Sequence, residues 1–128
     1  MKQLLLCFFL TGFLFANACP GDTNKLKKSI PAVVKGCEKQ EAVEVIIEEA
    51  IATGAPTYND GNHIACYRIY EGAAYKIVYK YGSKCKDIKN ILETALEKSY
   101  GDYTITEKAW IMRMAFDKIL GVATTTTK

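Results

Sequence analysis

The sequence has a single histidine, His63, and none of its five cysteines forms a Cys-x-x-Cys pair. A catalytic triad or a multi-histidine metal site therefore has only one residue from which to start, and close-spaced zinc and haem-attachment motifs are excluded. The excess of one sign of charge is also small, because 17 basic and 14 acidic residues leave a net charge of +3. So small a balance does not indicate a nucleic-acid-binding protein. We expect no catalytic, cofactor-binding or metal-ligating residue.

Hydrophobic runs long enough to span a membrane are missing as well. The longest, residues 4–15, has 12 residues and would extend about 18 Å as a helix, against about 30 Å of hydrocarbon in a bilayer. It follows Lys2 and precedes Ala16-Asn17-Ala18, which is the arrangement of a secretory signal. We predict a signal peptide at residues 1–18, export to the periplasm or medium, and no transmembrane segment. Cleavage after Ala18 would make Cys19 the first residue of the mature chain. Because the residues around this position partly resemble a lipobox, a lipid anchor at Cys19 is an alternative.

The remaining cysteines indicate disulfides. Cys7 lies in the predicted signal, which leaves Cys19, Cys37, Cys66 and Cys85 in the mature chain. An even number of cysteines in an oxidising compartment is typical of a disulfide framework, so we expect two bridges.

Helical periodicity is clear in two parts of the chain. Residues 38–53 and 88–99 carry apolar side chains at intervals of three and four, with acidic residues on the opposite face of the first segment. Thr104 and Glu107 have the spacing of a capping box, which predicts a further helix after Thr104.

Residues 62–81 permit two interpretations. Their tyrosine, isoleucine and valine content favours a strand hairpin at 63–81 that turns at Glu71-Gly72. As a helix, the same segment places one apolar stripe on a single face: Cys66, Ile69, Tyr70, Ala73, Ile77 and Tyr81.

A motif in this region decides between them. Tyr58-Asn59-Asp60-Gly61, followed by Cys66, Tyr70 and Ala73, resembles the middle of a tetratricopeptide repeat over about residues 45–75. The resemblance implies two antiparallel helices that turn at Gly61, with Tyr70 filling the space between them. Since one copy is present, only the helical hairpin is inferred from it. In such a hairpin the residues before the first helix lie beside the end of the second, which predicts the pair Cys37–Cys85. Cys66 lies near the opposite end, where the preceding segment of residues 22–35 would begin close to Cys19, so we also expect the pair Cys19–Cys66.

The candidate interaction residues are tyrosines. One helix cannot bury all the tyrosines of residues 62–81, and tyrosine is enriched at interfaces, so we predict a partner surface at Tyr67, Tyr75 and Tyr79. His63 has Asp60 and Cys66 three residues to either side, but Gly61 makes capping and packing the preferred interpretation of these residues.

The sequence therefore predicts an all-α, small antiparallel helical bundle with two disulfides, and the alternative is an α+β fold with the 63–81 hairpin. Its parts are the signal (1–18), one helical domain (19–123) and a flexible tail (124–128). We expect an exported, non-catalytic protein that binds a protein or peptide partner. The alternatives are a lipid-anchored envelope component and an inhibitor or immunity-type partner of a secreted enzyme.

Overall fold

Four α-helices make up the described part of the chain. The structure, a computed structural model, describes residue 34 and residues 36–122. The helices are α1 (Gln40–Asn59), α2 (His63–Tyr81), α3 (Lys86–Ser99) and α4 (Ile105–Leu120), and these residues include no strand. The predicted helical bundle is confirmed, and the strand hairpin at 63–81 is wrong because those residues form α2.

Helices α2 and α4 lie at the centre of the bundle. Helix α2 packs against α1, α3 and α4, whereas α1 and α3 have no contact with each other. The core lies where the two central helices meet their neighbours, and its largest fully buried side chains are Phe116, Ile47, Ile77, Ile88, Leu92, Met112 and Ile119.

The turn between α1 and α2 forms as the sequence predicts. Gly61 has a φ of 85°, in the left-handed region that glycine adopts without steric cost. Asn62 then caps α2, since its side chain accepts a hydrogen bond of 3.1 Å from the Ala65 amide. The α1–α2 hairpin implied by the repeat resemblance is present, and Tyr70 lies in it with 3% of its surface exposed.

Helix α1 continues beyond its expected end at residue 53. It includes Pro56 and ends at Asn59, although a proline within a helix removes one backbone hydrogen bond. The last turn is held by tertiary packing, because the Tyr58 ring stacks on His63 of α2 with centroids 4.3 Å apart. Packing on a neighbouring helix therefore outweighs the local preference to stop.

Local sequence signals determine the two ends of α4. The Thr104 side chain accepts from the Glu107 amide, and the Glu107 carboxylate accepts from the Thr104 amide at 2.8 Å, which is the predicted capping box. Gly121 ends the helix with a φ of 70°. Asp87 lies in the first turn of α3, which begins at Lys86, where a carboxylate is favoured by the helix dipole.

One of the two predicted disulfides is found. Cys37 is bonded to Cys85, as expected when the start of α1 lies beside the end of α2. The second prediction, Cys19–Cys66, is not supported: Cys66 is a free thiol with 1% of its surface exposed. At this end of the hairpin Cys66 lies beside α4, where it shares the lining of one cavity with Ala109 and Arg113.

Several predictions concern residues outside the described part of the chain. These are the signal peptide at 1–18, the lipid anchor at Cys19 and the tail at 124–128. Within the described residues, no helix combines the length and hydrophobicity needed to cross a membrane.

Candidate functional site

The predicted partner tyrosines do not share one environment. Tyr79 is 96% exposed and Tyr75 is 49% exposed, as a partner surface requires. Tyr67 is 3% exposed, so its assignment to an exposed surface is wrong. Its hydroxyl lies between α2 and α3, where it donates to Glu71 Oε1 at 3.0 Å and lies 3.1 Å from Ser99 Oγ. Tyr67 therefore joins two helices of the bundle and is not available to a partner.

Glu71 is the centre of a polar cluster that the sequence did not reveal. Arg68 Nη1 donates to its Oε2 at 2.7 Å, and the Tyr100 hydroxyl donates to its Oε1 at 3.3 Å. Tyr75 extends the cluster through a hydrogen bond between its hydroxyl and that of Tyr100. The spacing of Arg68 and Glu71, three residues apart in a helix, was the one local signal of this arrangement.

The electrostatics of this cluster keep Glu71 ionised. Burial by itself raises the pKa of Glu71, but hydrogen bonds from Arg68 and Tyr67 outweigh burial, and the pKa lies below its usual value. Burial also raises the pKa of Tyr67, which holds the phenol neutral as a donor. A carboxylate that accepts hydrogen bonds from one arginine and two phenols has the properties of a structural link between α2 and α3.

The single histidine and the two residues that flank it, Asp60 and Cys66, are not brought together as ligands. His63 stacks on Tyr58, and its Nδ1 lies 3.1 Å from Thr106 Oγ1 on α4. Asp60 follows α1, while Cys66 points into the interior, where burial raises the pKa of its thiol. No group of three or more histidine, cysteine, aspartate or glutamate residues within the described range is placed to hold a metal ion.

A groove between α3 and α4 forms a concave surface with a volume of about 970 Å³. Its apolar lining includes Ile91 and Ala95 on α3 together with Ile111, Met114 and Val122 on or just after α4. Met114 is 56% exposed and Val122 is 50% exposed. Large apolar side chains that share one groove and face solvent are typical of an interaction site.

The charge around this groove has one sign. Lys98 of α3 and Lys118 of α4 belong to its lining, and both side chains are exposed. No aspartate or glutamate is among the described residues that line it. Asn90 and Thr94 complete the α3 side as uncharged polar residues. The groove therefore presents an apolar floor with a cationic rim. The sequence by itself does not reveal this groove, because its floor is formed by two helices that only the fold places side by side.

Comparison of the chain with protein-family models, with characterised proteins and with solved structures gives no match in any of the three. The tetratricopeptide resemblance therefore stays a prediction, and the site is interpreted from its own geometry.

Proposed function

We propose that this protein is a small exported, non-catalytic helical protein that binds a partner protein through the α3–α4 groove. The occupant is an amphipathic helix of the partner, with an apolar stripe flanked by acidic residues. The observation that carries the proposal is the exposure of Met114 and Val122 in an apolar groove whose charged lining residues are lysines.

The shape of the groove favours a helical occupant. Two adjacent helices leave a channel between their side-chain ridges, and a third helix packs into such a channel when it supplies apolar residues at three- and four-residue intervals. Met114 is an adaptable contact residue, because its flexible thioether side chain adjusts to irregular surfaces.

The charge of the groove favours an acidic occupant. Opposite charges at the rim steer association and disfavour partners of the wrong sign, although each exposed pair adds little affinity. The chain's own residues 25–35 carry four lysines and no acidic residue, so their charge does not complement this rim. Helix α1 is acidic, but its apolar residues are buried inside the bundle: Val43, Ile46, Ile47 and Ala50. A separate protein is therefore the proposed occupant.

Two observations support export. Residues 1–18 have the three parts of a secretory signal. The Cys37–Cys85 bond indicates a non-reducing environment, since structural disulfides persist mainly outside the cytosol.

The test uses two synthetic helical peptides with the same leucine stripe, one flanked by glutamates and the other by lysines. We expect the glutamate peptide to bind and to shift the backbone amide signals of Ile111 and Met114 in nuclear magnetic resonance spectra. The lysine peptide should bind at least about tenfold more weakly. Replacing both Lys98 and Lys118 by glutamate should reverse this preference.

Two matched charge insertions locate the surface. Both Met114 and Tyr79 are exposed, so glutamate at either position is compatible with folding. Met114→Glu should abolish binding of the glutamate peptide, and Tyr79→Glu should leave it unchanged. If only Tyr79→Glu lost binding, the partner surface would lie on α2 and not in the groove. If neither peptide bound to the unmodified protein, the groove would be refuted as the site.

A further inference from the structure

A second concave site lies on a different face of α4 from the groove. It is a cavity of about 170 Å³ between α1, α2 and α4. Trp110, which is 52% exposed, lies at its opening, while Cys66 and Tyr70 are 1% and 3% exposed and form its interior. An enclosed apolar space of about 150 Å³ is large enough for one benzene ring, so this cavity has the size of a single aromatic ring.

The aromatic walls of the cavity are held in place before any ligand arrives. Trp110 Nε1 donates to the Tyr58 hydroxyl at 3.1 Å, and the two rings meet edge to face with centroids 6.0 Å apart. Tyr58 is fixed in turn by its stacking on His63. On the inner side, the Tyr70 ring meets Phe116 edge to face at 5.5 Å. Pre-ordered walls lower the entropy cost of binding a rigid ring.

A positively charged side chain belongs to the lining of the same cavity. Arg113 lines it and its side chain is 30% exposed. Its Nε donates to Asp117 Oδ1 at 2.9 Å, but a guanidinium has five N–H donors, so this ion pair leaves donors for a further acceptor. Desolvation lowers the pKa of Arg113, but the pairing with Asp117 outweighs it, and the group stays protonated. A partly buried arginine beside an aromatic pocket is suited to bind a carboxylate.

We propose that this cavity binds a small aromatic carboxylate, with the single ring between Trp110, Tyr58 and Tyr70 and the carboxylate against the Arg113 guanidinium. The ring fits by volume. A compact anion without a ring would lack the apolar contact that most of the lining offers. The site uses no residue of the α3–α4 groove and does not depend on its function.

Benzoate is the probe for this site, and Trp110 is its reporter because the chain contains one tryptophan. We expect saturable change in tryptophan fluorescence in the millimolar range suited to a ligand of this size. Acetate, which lacks the ring, should give no saturable change. Arg113→Met should weaken benzoate binding about tenfold or more, since it removes the charged donor.

Two matched replacements of alanine by leucine separate the effect of filling the cavity from a general effect on α1. Ala55 lines the cavity and is half-buried, whereas Ala52 is exposed on the same helix and does not line it. Ala55→Leu should abolish the benzoate response, and Ala52→Leu should retain it, with the helical content of both checked by circular dichroism. The proposal is overturned if benzoate gives no saturable response, or if Ala55→Leu, still folded, binds it as well as the unmodified protein does.

Discussion

Replacing Gly54 by alanine tests the closest approach of α1 to α2. Gly54 is buried in α1, and a Cβ atom at this position would overlap the Tyr70 ring, with its Cζ at 2.8 Å. The ring is 3% exposed and packs edge to face on Phe116, so moving it away from the added methyl group would break this contact. The substitution therefore forces a shift of backbone or core side chains.

The magnitude follows from two opposing effects. Alanine is preferred over glycine within a helix by about 1 kcal/mol, while an extra methyl group in a filled core costs about 1–3 kcal/mol. Gly72 in α2 supplies the comparison, since it is exposed and a Cβ there would meet nothing within 4 Å. Gly72→Ala should stabilise the protein by about 1 kcal/mol, from helix preference alone. The difference in the free energy of unfolding between the two variants then isolates the steric cost, about 1–3 kcal/mol.

Urea denaturation followed by circular dichroism measures both free energies, and thermal denaturation gives an independent check. Each kcal/mol corresponds to about 4–8 °C in Tm for a domain of this size. Equal stabilisation of the Gly54→Ala and Gly72→Ala proteins would refute the close approach of α1 to the Tyr70 ring. Removing the ring by Tyr70→Leu should also reduce the cost of Gly54→Ala, because the two residues are in contact and their effects are not additive.

Three further predictions follow from the covalent and polar contacts. Replacing both Cys37 and Cys85 by alanine should lower the free energy of unfolding by about 4 kcal/mol, as the bond closes a loop across 48 residues; urea denaturation measures the loss, and no loss would contradict the bond's structural role. Since the folded pKa of Glu71 lies below its ordinary value of 4.5, its contribution to stability is complete above that value and is lost as the pH falls through the folded pKa. The unfolding free energy of Glu71→Gln should therefore fall less steeply on acidification than that of the unmodified protein, and parallel curves would show that Glu71 is not paired. Burial raises the pKa of the Cys66 thiol, so brief alkylation with iodoacetamide should label Cys66 only after denaturation, as read by peptide mapping; a requirement for reductant would mean that Cys66 is bridged.

Most of α1, nearly all of α3 and the start of α4 were predictable because their signals are local. Apolar side chains at three- and four-residue intervals located α3 before any packing was considered. Thr104 and Glu107 start α4 through bonds within one turn. Even the long-range Cys37–Cys85 bond followed from local facts, since a short turn at Gly61 makes the two helices antiparallel and brings their outer ends together.

The faces of α2 were harder to predict, for a physical reason. A helix with one buried side shows one apolar stripe, but α2 packs against three other helices and is covered over most of its circumference. Its buried residues therefore include the polar Glu71 and the phenol of Tyr67, whose hydrogen-bond partners Ser99 and Tyr100 lie on another part of the chain. No periodicity within residues 63–81 contains that information.

Sequence alone thus determined that residues 38–53 and 88–99 are helical, that a helix follows Thr104, how α1 and α2 turn at Gly61, and which cysteine pair meets at their outer ends. Only the tertiary structure decided that Cys66 is a buried thiol, that α1 continues through Pro56, and that a groove and an aromatic cavity lie on two faces of α4. The reason is that hydrogen bonds and periodicity within a helix act over a few residues. A cavity or groove depends instead on the distance between side chains of different helices, which is set when the helices pack.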